Sequence, residues 1–321
     1  MTYQNNKNKD MRTIPIAFAF DKNLVFPASV CIASLLMNAL ESTFYDIFII
    51  HSENESFDKS DFEMITSRYH NCRIQFRTVD DRFDGAFEIR DITTPTYYRL
   101  LIPELIPEYD KIIYSDVDMI FRTDLSSVYD IDMADSYVAG TYDIDMNIGN
   151  NGRKHIDEVA GLVQGEYLQA GFIILNVKLM REDGLQAEFV KHAKNNYMFQ
   201  DQDIMNIVCS GRKTIIPWHY NMTTYSFYYL EREFDRIKDK YVNSEVDLAR
   251  NHSNIHFNGA KPWKSYSINF DIWWEYYRKS PLFDSKYYFD FFYKKLTEYD
   301  QLTLWKRVKI LARYFIHGRQ K

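Results

Sequence analysis

The sequence predicts an α/β fold, a mainly parallel sheet with helices on both faces, followed by a helical C-terminal appendage. Two observations carry this reading. Short apolar runs alternate with segments of helical period through the first two thirds of the chain, and strands separated by helices pair in parallel. The final segment, Gln301 to Lys321, changes to a basic helical pattern with no acid in it. We divide the chain into a main domain over 1–280 and an aromatic, basic helical segment over 281–321.

The elements follow in order. Ile14–Phe20 reads as a buried strand and Ala28–Leu40 as a helix with Pro27 in its first turn. Tyr45–His51 is a second strand, Phe57–Tyr69 a second helix and Cys72–Val79 a third strand. Thr96–Leu105 is helical with a break at Pro103, and Lys111–Ser115 is a strand running into Asp116. Tyr137–Thr141 and Ala170–Asn176 are strands, and the polar stretch Asp143–Glu166 between them is long enough to form a flap over a site. Asp201–Cys209 is a helix, and Asn254–Phe257 a short strand leading into Gly-Ala-Lys-Pro-Trp.

Composition narrows the function. The chain has 321 residues, 46% hydrophobic and 26% charged, which excludes wholesale disorder. Thirty-nine Lys and Arg against 45 Asp and Glu give a net charge of −6, so the surface does not suit nucleic acid. Cys31, Cys72 and Cys209 are odd in number and widely spaced, which fits a reducing compartment rather than a disulfide framework. The opening residues lack a signal-peptide core, and Val25–Leu40 falls short of the ~20 apolar residues of a membrane span. A cytoplasmic protein is expected. Leu304, Trp305, Val308, Leu311, Ala312 and Phe315 recur at helical spacing beside Lys306, Arg307, Lys309 and Arg313. Such a helix over 301–321 suits an anionic membrane surface, peripheral at the inner face, or docks on the body with its cations solvated.

Two clusters carry chemistry. Asp116-Val117-Asp118 follows a strand, where ligands of α/β sheets gather. Two carboxylates one residue apart reach one hard cation, magnesium or manganese rather than zinc. His256 leaves a short strand ahead of Gly259 and Lys261, an imidazole for the same ion, a glycine that lets backbone approach phosphate, and a point charge for it. Strand-end aspartates of this kind also occur in metal-dependent phosphatases and nucleotidyltransferases, and a non-catalytic nucleotide-sugar binder would keep the same residues.

Four landmarks then occur in one order: FAFDKN; TPTYYRLLIPELI leading to YSDVDMIF; YLQAGFIILN followed by FQDQDIMN; and IHFNGAKPW. In these the chain resembles the retaining glycosyltransferases of family 8, over about Ile14 to Trp263. The resemblance implies a GT-A (Rossmann-like) fold and transfer of galactose or glucose from a UDP-sugar to a glycan, glycolipid or glycoprotein. It places Ala19, Asp21, Asn23, Asp116, Val117, Gly259 and Lys261 on the nucleotide. It places Arg99, Gln169, Ala170, Asp201 and Gln202 on the sugar, with Gln202, Asp201 and Arg99 as the catalytic group. Asp143 falls on the acceptor side, and Asp116, Asp118 and His256 hold manganese or magnesium. The chain departs from many relatives at three points: Leu24 replaces an aromatic residue, Gln169 replaces Asn, and Ala260 alone separates Gly259 from Lys261.

Overall fold

In the computed structural model, residues 11–317 are described apart from 57, 84 and 89–93. Among the described residues, ten strands form two sheets. The large sheet is built from β1 (Arg12–Ala19), β2 (Thr43–Ser52), β3 (Cys72–Val79), β4 (Ile112–Ser115), β6 (Val138–Tyr142), β7 (Leu168–Leu175) and β8 (Lys213–Ile215). Its order is β3-β2-β1-β4-β7-β6-β8. Only β7 runs against its neighbours, β4 and β6, so the sheet is mainly parallel as expected. The small sheet sets β10 (Ile255–His256) between β5 (Met119–Ile120) and β9 (Met222–Thr223).

Successive strand residues alternate between two apolar layers, as period-two pleating requires. Ala17, Phe48, Tyr114, Ile173 and Leu175 join one layer. Ile16, Phe18, Ile47, Ile113, Phe172 and Ile174 join the other. Helices cover both faces, which is why β7 is buried along its whole length. A third layer of Trp218, Phe227, Trp273, Trp274 and Tyr277 supports the small sheet.

Three local readings change. Pro103 does not break the segment Thr94–Leu101, a 3-10 helix; it opens the short α-helix Ile102–Leu105, where its missing N–H costs nothing. The predicted helix start at Phe57 lies outside the described residues, and the helix found is Ser60–Arg68. The stretch 143–166 is not an open flap. It folds into helices Ile144–Ile148 and Asn150–Glu158, burying Ile144, Met146 and Ile156. Its glycines serve close packing: a Cβ on Gly152 would lie 2.4 Å from Met146 Cα.

At the C-terminal end, helix Ser285–Asp300 packs Tyr288, Phe291 and Phe292 against the third layer. Helix Leu304–His317 follows, with Leu304 80% and Trp305 75% exposed. No helix among the described residues is long and apolar enough to cross a membrane.

Candidate metal and sugar-nucleotide site

Strand pairing assembles the site. The pairing of β1 with β4 sets Ala17 beside Tyr114, so Ala19 and Asp116 end their strands side by side. Pairing of β4 with β7 continues one step past Ser115 and Phe172, where the Asp116 N–H donates to Gly171 O at 2.8 Å. In the small sheet His256 faces Met119, and the Phe257 N–H donates to Asp118 O at 2.8 Å. These registers bring Asp116, Asp118 and His256 together, with one ligand atom from each lying within 4.8 Å of the others.

Gly171 is the residue that makes room. A Cβ there would sit 2.3 Å from His256 Cε1 and 2.7 Å from Asp116 Oδ2, so only glycine fits. Sequence reasoning passed over it and assigned a backbone role to Gly259 instead. At Gly259 an added Cβ would touch only Thr224, at 3.4 Å, so protein atoms impose no glycine there.

The donor set suits a hard divalent cation. His256 Nε2 lies 3.1 Å from Asp118 Oδ1 and 3.7 Å from Asp116 Oδ2. Asp118 Oδ1 is buried and makes no hydrogen bond. Since the oxygen facing His256 Nδ1 is the amide oxygen of Asn221, Nδ1 carries the proton and donates at 2.9 Å. The Nε2 lone pair and the orphaned carboxylate oxygen therefore face one point, an arrangement a cation reconciles. The Lys261 ammonium donates to the other oxygen of Asp118 and to Phe257 O at 2.8 Å. Burial alone pushes the Asp118 carboxyl up; the Lys261 ammonium on its other oxygen outweighs this and holds the group far below the usual carboxylate range.

Arg99 links this cluster to Asp201, one of the residues expected to line the sugar. Its guanidinium, 4% exposed, donates to Asp116 Oδ1 at 2.7 Å, Ala170 O at 2.8 Å and Thr96 O at 3.0 Å. It also pairs with Asp201 at 3.0 Å and lies over the Tyr114 ring at 4.3 Å. Asp201 takes a further hydrogen bond from Thr96. Burial still pushes the Asp201 carboxyl up to about 6, against the pull of Arg99. Gln202 accepts from the Ala170 N–H at 3.0 Å and donates to Asp143 Oδ2 at 3.3 Å. Asp143 caps helix Ile144–Ile148 through the Met146 N–H, and burial pushes it, too, up to about 6.

The remaining predicted residues fall out as follows. Gln169 is near Gly171, but its oxygen is held by the Gly171 N–H at 2.6 Å and by Asn221 at 2.7 Å. Val117 is buried and packs in the core. Asp21 caps the turn Lys22–Leu24 through the Asn23 N–H, and Asn23 is exposed. Sequence reasoning missed Tyr114, which donates to Asp116 Oδ1 at 2.9 Å, and Thr96 and Asn221. Thr96 and Asn221 act through partners distant in sequence, Asp201 and His256, and no residue pattern marked them. It also missed Asp203 beside Gln202, whose carboxylate binds His155, Tyr167 and the Phe199 N–H and so anchors the N-terminus of helix Gln200–Val208.

Comparison with known proteins is consistent with this geometry. The family model described as glycosyl transferase family 8 matches residues 15–267. A lipopolysaccharide 1,3-galactosyltransferase of Salmonella typhimurium is 24% identical over 274 residues, 83% of this chain and 77% of that protein. A lipopolysaccharide 1,2-glucosyltransferase of Escherichia coli is 23% identical over 276 residues, 81% of this chain and 76% of the other. Among solved structures, the galactosyltransferase LgtC in complex with donor and acceptor sugar analogs superposes with a TM-score of 0.66 at 22% identity. That match covers 85% of this chain and 99% of LgtC, and establishes the shared fold.

Proposed function

The chain belongs to glycosyl transferase family 8, and on that premise we propose that the cleft at Asp116, Asp118 and His256 holds the diphosphate of a UDP-sugar through manganese. The protein is a retaining, UDP-sugar-dependent hexosyltransferase of the GT-A fold, acting with a divalent metal. The observation that carries the reading is the convergence of those three side chains at the end of β4. Galactose and glucose are the two donor sugars the relatives' names suggest.

The roles follow from position. When bound, the ion neutralises charge developing on the departing diphosphate. Lys261 supplies a second cation to the same oxygens, a preorganised charge that needs no reorganisation during reaction. Arg99 keeps Asp116 and Asp201 in fixed relation and closes the floor under the sugar. Gln202, held by the Ala170 N–H and Asp143, presents an amide rather than a carboxylate beneath the anomeric carbon. An amide is a poor nucleophile, so retention proceeds by attack on the face the phosphate leaves, without a long-lived glycosyl-enzyme. Asp143 lies where the acceptor approaches.

The acceptor is a surface glycan or glycolipid built at the inner face of the membrane, and the protein is cytoplasmic and peripheral. The support is helix Leu304–His317, which leaves Leu304, Trp305, Val308 and Leu311 exposed beside Lys306, Arg307 and Lys309. Deleting 302–321 is expected to release the protein from anionic vesicles while sparing slow UDP-sugar hydrolysis; equal sedimentation of both forms would remove the membrane reading. The donor is tested by UDP release from a panel of UDP-sugars with Mn²⁺, Mg²⁺ or EDTA. One sugar is expected to turn over and to stop in EDTA. Failure of UDP to bind with metal would end the proposal.

A further inference from the structure

The buried amide of Asn221 touches both sides of the site at once. Asn221 is 1% exposed and lies just before β9, where the small sheet meets the large one. Its oxygen accepts from His256 Nδ1 at 2.9 Å. Its nitrogen donates to Gln169 Oε1 at 2.7 Å and to Thr141 Oγ1 at 3.3 Å. Gln169 Oε1 spends its second lone pair on the N–H of Gly171 at 2.6 Å. One side chain thus joins β10, β7 and β6, and no other residue type of this size offers an acceptor and two donors at one point.

We propose that Asn221 is a positioning residue that sets the metal affinity of the site and couples it to the sugar side. Resting on the assignment of Asp116, Asp118 and His256 as a cation site, the argument has two parts. The Asn221 oxygen obliges His256 to carry its proton on Nδ1, which leaves Nε2 to ligate; an imidazole with the proton on Nε2 has no lone pair there. The ring is then fixed in two directions, by this hydrogen bond and by the flat surface of Gly171 beneath Cε1. The same amide is anchored by Gln169 and Thr141, so a change at Gln169 reaches His256 without touching the metal. Hydrogen-bond partners of metal-bound histidines commonly alter affinity by about 10- to 100-fold.

The test is Mn²⁺ binding by the full chain, followed by the electron paramagnetic resonance of the free ion, with thermal unfolding of each metal-free variant alongside. Asn221→Leu, which offers no acceptor, is expected to weaken Mn²⁺ by about tenfold or more. Asn221→Asp keeps an acceptor for His256 but, as a carboxylate, cannot donate to Gln169; it is expected to weaken Mn²⁺ only by the smaller factor that losing this anchor costs, and to raise the KM for the donor. Gln169→Leu, which leaves Asn221 itself in place, is expected to weaken Mn²⁺ by a smaller factor, and serves if Asn221→Leu fails to fold. Unchanged Mn²⁺ affinity in Asn221→Leu or Gln169→Leu overturns the proposal, as does equal loss in the Leu and Asp variants of Asn221. No Mn²⁺ binding by the unaltered chain would instead overturn the cation site beneath it.

Discussion

The cleft has two acidic sides, and they rest on opposite electrostatic balances. On the β4 side, Asp118 is buried yet held far below the usual carboxylate range, because the Lys261 ammonium lies against it. On the helix Gln200–Val208 side, Asp201 and Asp143 are pushed up to about 6 by burial, and neither Arg99 nor the helix cap reverses this. Desolvation acts on all three; Lys261 outweighs it at Asp118, while at Asp201 and Asp143 it prevails. The first side keeps a standing negative charge that suits a cation, as the proposed diphosphate site requires. The second, proposed to line the sugar, carries acids that release their protons at about 6.

The largest break in this comparison comes from removing the charge that the first side is built around. Asp118→Asn keeps the shape, removes the carboxylate that Lys261 and His256 face, and leaves the ion with one acidic ligand. Loss of kcat/KM is expected on the order of a hundredfold to a thousandfold, the scale of losing a preorganised electrostatic group. UDP release with saturating Mn²⁺ measures it. A near-normal rate would mean that the metal reading is misplaced.

Arg99 is where the two sides meet, so changing it sharpens the contrast. Its planar fork reaches Asp116, Ala170 O and Thr96 O together while pairing with Asp201; an ammonium cannot span that set. Arg99→Lys is expected to cost about 2–3 kcal/mol in denaturant unfolding at neutral pH, since buried partners are left unpaired. The loss is expected to shrink below pH 5, where Asp201 takes up a proton. A loss that does not depend on pH would show that the Arg99–Asp201 pair contributes little.

How much of this was legible in the sequence differs between the same two sides. Asp116, Asp118 and His256 stand at ends of apolar runs, where sheet topology gathers ligands, and the D-x-D pair gains its meaning from His256, Gly259 and Lys261 beside it. The sugar side depends on long-range pairing. That Gly171 must be glycine follows from the register of β4 with β7, and Asn221 matters only because a two-residue strand brings it to His256. Neither fact has a local signature. The expected flap has the same cause: a long polar stretch between two strands suggests a loop over the site, but Gly149 and Gly152 carry no Cβ because two short helices pack there at backbone contact. Tertiary context overrode turn chemistry.

The smallest effect isolates the sugar side. Asp143 keeps its proton up to about 6 in the folded chain, against an ordinary value of 3.8, because it is buried and faces Asp145. Between those two values the folded state binds more protons than the unfolded state, so stability falls as pH rises. The contribution is fully present below 3.8 and lost once pH passes 6. Asp143→Asn retains a side chain that caps helix Ile144–Ile148 but has nothing to titrate. The variant is therefore expected to match the unaltered chain at pH 4 relative to its own baseline. By pH 7.5 it should gain about 2 kcal/mol on it, because a carboxyl raised from 3.8 to about 6 represents about two tenfold changes in proton affinity at roughly 1.4 kcal/mol each, part of which already acts at pH 4. Urea unfolding at the two pH values reads the difference. A gap that is the same at both, or one that narrows with rising pH, would mean that Asp143 is already ionised in the folded chain and that the two sides of the cleft are electrostatically alike.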